Sequence, residues 1–447
     1  MSHYKPYPVY KDSEVEWLGA VPEHWAVKRL RFAATLNPAV RLDLQNNQDR
    51  DVSFLPMEAI GEDGSLNFEQ TRPVRDVRNG YSYFEDGDVA FAKVTPCFEN
   101  GKGALMQGLL DSAGFGTTEL TVLRPNTKIT DARYLNYVVQ STRFRALGVG
   151  AMTGAGGLKR VPDEFTRNFP TALPDRIEQE SIASHLDRET ARIDALVEKK
   201  TRFVELLREK RQALITHAVT KGLDPNVKMK DSGVEWLGEV PEHWGVLQLR
   251  QTARLESGHT PSRSKPEYWV NCTVPWFTLA DVWQVRSGEQ KYVSETSEKV
   301  SKLGLENSSA RLLPAGSVFL SRTASVGFAG IMEVDMATSQ DFAVWTCSSD
   351  LFNEYLYYVL LGMKPDFDRL MMGSTHKTIY MPDIEAIRIT RPPMQEQQEI
   401  VHVLRQQLVR LKTIIDESER SIVLLKERRS ALITAAVTGQ IDLREAV

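Results

Sequence analysis

The sequence predicts an α+β protein in which two mixed α/β globules are separated by two long helices that pair as an antiparallel coiled coil, with the halves related by a pseudo-twofold internal repeat. Three observations predict it. "VEWLGAVPEHW" at 15–25 returns as "VEWLGEVPEHW" at 234–244, inside a longer match of 11–31 with 230–250 in which 16 of 21 positions are identical at an offset of 219. A second match pairs "LLREKRQALITHAVTKGLD" (206–224) with "LLKERRSALITAAVTGQID" (424–442) at an offset of 218. Two stretches ahead of that second match carry apolar residues at alternating spacings of four and three, the mark of a helix that buries one stripe against a partner. The chain is therefore two copies of one unit, divided as a first globule at 1–173, a central helix at 174–224, a second globule at 225–391 and a C-terminal helix at 392–447.

Each element has a local justification. In the repeated opening, Trp17 and Trp236 read as core anchors of a short helix stopped by Gly19 and Gly238. His24 and His243, beside a Trp in "PEHW", read as structural residues at the entry to each globule. "EDGDVAFAKVTP" (85–96) parallels "LPAGSVFLSRTA" (313–324), a Gly turn leading into a strand. "TTELTVLRP" (117–125) parallels "TSQDFAVWT" (338–346), again strand-like. The helices "ARYLNYVVQS" and "NEYLYYVLLG" follow, then a loop ending in Pro-Asp at Pro162 and Pro382. The middles thus share a plan but little wording: a constant frame holding two divergent heads.

The long helices start after Pro174 and Pro392 and end near Gly222 and Gly439. Counting from Ile182, the predicted seam runs through Ile182, Leu186, Ile193, Leu196, Phe203, Leu207 and Leu214. In the second copy it runs through Ile400, Leu404, Leu411, Ile414, Leu425 and Leu432. Polar interruptions recur at Glu189/Gln407, Lys200/Ser418 and Lys210/Arg428. From 176 to 218 the helix would extend about 65 Å, close to two turns of a DNA duplex. On that reading the pair is a ruler between two heads.

Composition limits the function classes. At 447 residues with 42% hydrophobic and 26% charged residues, the chain has ordinary globular values. No apolar run reaches the roughly 18 residues of a membrane span, and the polar start "MSHYKPYPVYKDSE" does not read as a signal peptide, so a cytoplasmic protein is expected. Cys97, Cys272 and Cys347 lie far apart with no C-x-x-C spacing, suggesting neither a disulfide framework nor a zinc site. With 55 basic against 59 acidic residues the net charge is −4, opposite to the basic excess of a lone DNA binder. Either the basic surface is local or a partner supplies much of the phosphate contact.

Catalytic patterns are thin. No ATP-cradling G-x-x-x-x-G-K-[ST] occurs, and "TGAGGLK" (153–159) follows a helix rather than a strand, which argues against a methyl-donor site. Asp281 with Glu289 and Lys291 is the one passable nuclease set, and it is the basis of a rival reading as a metal-dependent enzyme. No metal and no cofactor are expected.

The segments "KDSEVEWLGAVPEHWAVKRLRF", "PDRIEQESIASHL" and "PMQEQQEIVHVL", with their shared Glu178-Gln179 and Glu396-Gln397, and the two "ALIT.AVT" helix ends, resemble the DNA specificity subunit of type I restriction-modification systems. The resemblance spans essentially the whole chain. It implies two target-recognition domains alternating with scaffold helices, and a bipartite double-stranded DNA target with a fixed nonspecific gap. It also implies no catalytic activity of its own, and partnership with two methyltransferase subunits and two ATP-dependent restriction subunits. For base reading, "FAKVTPCFENGKGAL" (91–105) offers Lys93, Thr95, Glu99, Asn100 and Lys102, donors and acceptors suited to base edges or phosphate. Its twin "LSRTASVGFAG" (320–330) offers Arg322, Thr323 and Ser325. The loops at 153–160 and 373–380 add Lys159, Arg160, His376, Lys377 and Tyr380.

Overall fold

The computed structural model describes residues 4–155, 157–371 and 377–444. The chain divides into two compact units, Met1–Thr201 with Arg420–Val447, and Arg202–Glu419, so that the division falls within both long helices. Each unit therefore contains one globule, the start of one long helix and the end of the other.

In the first unit the main sheet is four-stranded and antiparallel, in the order Ala34–Leu36, Leu120–Pro125, Val89–Ala92, Gly103–Leu105. The second unit repeats it with Ala253–Ser257, Phe342–Cys347, Val318–Ser321 and Ala329–Met332, and adds Tyr292–Val293 at the edge. The strands beginning at Val89 and Val318 are buried along their whole length, which is why they read as apolar runs rather than alternations. Each is entered through a glycine with positive φ, Gly87 (+91°) and Gly316 (+87°). The two glycine amides make the same bond, to Met106 O and Met332 O at 2.7 Å.

A second sheet also repeats, four-stranded in the first unit and three-stranded in the second. Asp51–Leu55 lies antiparallel to Thr71–Pro73 and parallel to Ala113–Gly116. Val274–Phe277 lies antiparallel to Glu298–Val300 and parallel to Ala337–Thr338. Nothing in the sequence patterning marked these short strands. The helices Ala132–Gln140 and Asn353–Gly362 pack on the main sheets. They bury Tyr134 and Tyr355, whose hydroxyls donate to carbonyls of long-helix ends: Val437 O in the first unit, Val219 O in the second.

The opening repeat needs a correction. Residues 16–18 and 235–237 form a turn rather than a helix, and Trp17 and Trp236 are only partly buried. The buried anchors are Leu18 and Leu237 together with Trp25 and Trp244, the tryptophans of "PEHW". Gly19 and Gly238, with φ of +65° and +58°, close that turn.

The long helices run Arg176–Lys221 and Met394–Val437, 46 and 44 residues, so each is about 65–70 Å long. Their pairing is antiparallel in each unit. In the first, Glu178 faces Arg444 at 3.9 Å and Asp194 faces Arg429 at 2.9 Å. In the second, Gly222 lies beside Glu396 and Arg208 pairs with Glu419 at 2.7 Å.

Ile182, Leu186, Ile193, Leu207, Ile400, Leu404, Leu411 and Leu432 are buried, and Leu214 and Leu425 are half-buried. Leu196, Phe203 and Ile414 are not on the seam, being 42%, 45% and 40% exposed. The alternation of four and three begins at Leu186 and Leu404 rather than at Ile182 and Ile400. It therefore passes through Thr190, Val197, Val204 and through Leu408, Ile415, Ile422, one residue beyond the sequence count. Glu189 gives way to the buried Thr190, while Ser418 stays on the seam and is buried.

At the head of each long helix one glutamine ties helix to globule. Gln179 accepts from Asp131 N and donates to Ile129 O and Pro174 O, all at 2.9 Å. Gln397 accepts from Phe352 N at 2.8 Å and donates to Asp350 O at 3.0 Å and Pro392 O at 2.9 Å. Both side chains are fully buried. Gln179→Ala or Gln397→Ala leaves one amide and two carbonyls unpaired and is expected to cost about 3 kcal/mol or more. The glutamate variants, unable to donate to carbonyls, are expected to be at least as damaging. Thermal and denaturant unfolding of the full-length variants checks this, and losses under about 1 kcal/mol would refute the role.

Candidate nucleic-acid interface

The two segments singled out in each half are bonded to each other in the same way in both units. In the first, Thr95 N donates to Lys159 O at 3.0 Å and Val161 N to Lys93 O at 2.8 Å, with a bridge between Val94 and Arg160. In the second, Ala324 N donates to Lys377 O at 2.9 Å and Ile379 N to Arg322 O at 2.8 Å, with a bridge between Thr323 and Thr378. Lys93 and Arg322, Lys159 and Lys377, and Arg160 and Thr378 therefore occupy equivalent backbone positions. His376 lies outside the described residues.

In the first unit the strand Val89–Ala92 leads into Lys93, Thr95 and a turn at 96–101. Phe98 pins that turn by packing against Phe91 and Phe144, with centroids 6.1 and 6.0 Å apart. Glu99 and Asn100 are left exposed at its tip. Gly101, at φ +80°, lies over the Arg145 guanidinium, where a Cβ would collide. The hairpin Thr153–Ala155 with Leu158–Arg160 stands out from the globule with its described residues exposed. Thr95 Oγ1 tethers it by donating to Gly157 O and accepting from Lys159 N, both at 2.9 Å.

The charged candidates differ in what they can still bind. Lys159, Lys377 and Tyr380 are exposed. Lys102 donates to Met57 O at 3.0 Å and is half-buried, so its ammonium already serves the fold. Arg322 donates to Gln340 O at 2.8 Å and Ile379 O at 3.4 Å, stapling two segments beneath the loop that carries Thr323 and half-buried Ser325. Arg160 forms a two-pronged ion pair with Glu119, Nε to Oε2 at 2.8 Å and Nη2 to Oε1 at 2.6 Å. That guanidinium holds the Glu119 carboxyl below the usual carboxylate range, and the carboxylate in turn raises Arg160.

Sequence reasoning missed Glu119 and, in the second unit, the segment at 258–269. Thr260 Oγ1 donates to Gln340 Oε1 at 2.7 Å, beside the Arg322 staple. Arg263 stacks on Trp269 at 4.1 Å and pairs with Glu298 at 2.6 Å. The signal was legible as "GHTPSRSKPEYW", a polar run with two cations and two aromatics between strands.

The nuclease set disperses. Both Asp281 oxygens are engaged, Oδ1 by Ser297 N and Oγ at 2.7 Å and Oδ2 by Thr278 N at 3.0 Å and Oγ1 at 3.1 Å. Glu289 pairs with Lys412 at 3.0 Å, and Lys291 bonds Glu354. Among the described residues no group of three or more His, Cys, Asp or Glu side chains is arranged to hold a metal ion, and no helix is long and apolar enough to cross a membrane. His24 and His243 bond the paired glutamates, Glu178 at 2.8 Å and Glu396 at 2.9 Å, at the heads of the long helices.

Residues 241–422 match the family model described as the type I restriction modification DNA specificity domain. Over 180 residues the chain is 40% identical to the EcoAI type I restriction enzyme specificity subunit of Escherichia coli. That match covers 40% of this chain and 30% of the relative's length. The EcoEI subunit of Escherichia coli matches at 37% with the same coverage, so the matched part spans about a third of these curated relatives. The putative MjaX specificity subunit of Methanocaldococcus jannaschii is 21% identical over 97% of both chains. Among solved structures, a chain from work on complex assembly and conformational transition of the type I R-M system superposes with TM-score 0.75 at 18% identity. It covers 93% of this chain and 98% of its own. The HsdS subunit from Thermoanaerobacter tengcongensis superposes with TM-score 0.56 at 18% identity, covering 94% and 98%. The chain thus resembles type I restriction enzyme specificity subunits through a specificity-domain match in its second half, a relative aligned along its length and a fold shared over most of the chain.

Proposed function

We propose that the chain acts in the cytoplasm as the sequence-reading subunit of a type I restriction-modification complex. It binds one bipartite double-stranded DNA target, one half-site per globule, and brings to it two methyltransferase subunits and two restriction subunits. It performs no chemistry itself. In this reading residues 1–173 and 225–391 are the recognition domains and 174–224 and 392–447 the scaffold. The observation that carries it is the pair of identical backbone ties, Thr95–Lys159 and Ala324–Lys377, which present different side chains on one frame.

The candidate readers are Lys93, Thr95, Glu99, Asn100, Lys159 and Arg160 for one half-site, and Thr323, Ser325, Lys377 and Tyr380, with His376, for the other. Lys102 and Arg322 support those loops from below. Further support for partner subunits lies on the long helices, where Leu196, Phe203 and Leu206, and Val409, Ile414, Val423 and Leu424, are between 40% and 61% exposed. Exposed apolar side chains of this kind suit partner helices better than water.

Sequencing the host's methylated bases tests the role: a split methylated motif that disappears when this gene is deleted is expected, and an unchanged methylome would overturn it. The ruler has its own test. Inserting four residues opposite each other in both long helices adds about 6 Å while keeping the apolar stripe on nearly the same face. The preferred gap should then shift by about two base pairs at about 3.4 Å each; a gap that stays put refutes the spacer. Lys159→Ala and Lys377→Ala should each weaken binding evenly across sequences and lower the salt slope by about one.

A further inference from the structure

We propose that Glu119 is a positioning residue that turns Arg160 into a guanine reader for the first half-site; this rests on the reading of the chain as a DNA specificity subunit. Three features of the pair lead there. First, the geometry is fixed at both ends. Lys93 N bonds Glu119 O at 2.8 Å and the Val94–Arg160 bridge holds the other backbone, while the two side chains meet through two parallel bonds. Second, Glu119 takes the Nε–Nη2 side of the guanidinium, so the remaining N–H groups of Nη1 and Nη2 form a second fork. In the major groove two neighbouring acceptors on one base belong to guanine, O6 and N7, whereas adenine alternates acceptor with donor.

Third, the carboxylate cancels the charge of the arginine locally. A neutralised fork gains little from a phosphate, and Glu119 itself repels one, so the pair favours uncharged acceptors on a base edge. Lys159, one residue away and exposed, suits the phosphate role. In the second unit the equivalent backbone positions hold Thr378 and Asp341, and Asp341 Oδ2 accepts from Ser339 Oγ at 2.8 Å. The arginine fork is thus specific to one head, as expected of a device that makes the two half-sites differ.

The test uses the full chain assembled with its modification subunits. Affinity is measured for the target duplex and for duplexes each changed at one base pair, at several salt concentrations. Arg160→Lys should lose roughly ten- to a hundredfold of the preference at a single G·C pair of one half-site and leave the other half-site unchanged. Glu119→Gln, which removes the charge but keeps the size, should also erode preference at that pair while steepening the salt dependence, because the released guanidinium then competes for phosphate. Lys159→Ala should leave base preference intact. Wild-type base preference at every position in Arg160→Lys, or an Arg160→Ala variant that lowers the salt slope as Lys159→Ala does, overturns the inference while leaving the specificity-subunit reading standing. A wild-type complex that prefers no duplex overturns both. Unchanged circular dichroism and unfolding temperature accompany each variant as the folding control.

Discussion

The Glu-Gln step at the head of each long helix, with its glutamine fully buried, is the constraint on which the rest is hung. Gln179 and Gln397 each satisfy one amide and two carbonyls where a proline-led helix leaves a globule, at equivalent backbone positions in the two units. One residue earlier, Glu178 and Glu396 each take a histidine of the repeated opening and an aromatic partner: His24 with Tyr7, which lies ahead of the repeat, and His243 with Trp244. A buried amide so fully satisfied is costly to move, because every displaced group loses its bond in a dry interior. The direction in which each helix leaves its globule is set there, and the identical spelling "PEHW" and "EQ" in both copies follows from that geometry.

Above this fixed base the two heads diverge where divergence is cheap. The main sheets keep their order and the two loops keep their mutual backbone bonds, while the exposed side chains they carry change freely. The first unit has a pinned aromatic turn at 96–101 and a tethered hairpin; the second has a tighter loop at 323–327 stapled by Arg322. Backbone ties of this kind hold position without prescribing side-chain identity, so one scaffold can carry two different arrays of donors and acceptors.

How much of this could be read from the sequence depended on whether a feature is written in nearest neighbours or in distant ones. The repeat, the Val89 and Val318 strands and the helices at 132–140 and 353–362 are local patterns and were legible. The seam was legible only to within one residue. Counting from Ile182 placed Leu196, Phe203 and Ile414 inward, although the buried stripe runs in the register set by Leu186 and Leu404. Leucine and phenylalanine at the outward positions were large enough to hide the shift. The second sheet was invisible because its strands are two to five residues long and pair across twenty to sixty positions. For the same reason Trp17 was taken for the anchor instead of Trp25: both are tryptophans in one sentence, and only distant partners, Tyr7 among them, distinguish the buried one. The two loops of each candidate interface were found separately, but that they touch is a long-range fact.

A net charge of −4 looks at first like an argument against reading DNA. Its force depends on how the cations are used. Lys102 and Arg322 spend their N–H groups on backbone carbonyls, and Arg160 shares its charge with Glu119. Glu119 offsets the charge of Arg160 locally, while the carbonyl bonds of Lys102 and Arg322 fix where their charges sit without cancelling them. Affinity from phosphate contacts scales with the number of unpaired cations, whereas discrimination between bases needs oriented N–H and C=O groups and is indifferent to net charge. Cations used in this way orient donors more than they add to a general attraction for DNA. On the reading proposed above, an acidic balance is compatible with a complex in which other subunits supply the grip.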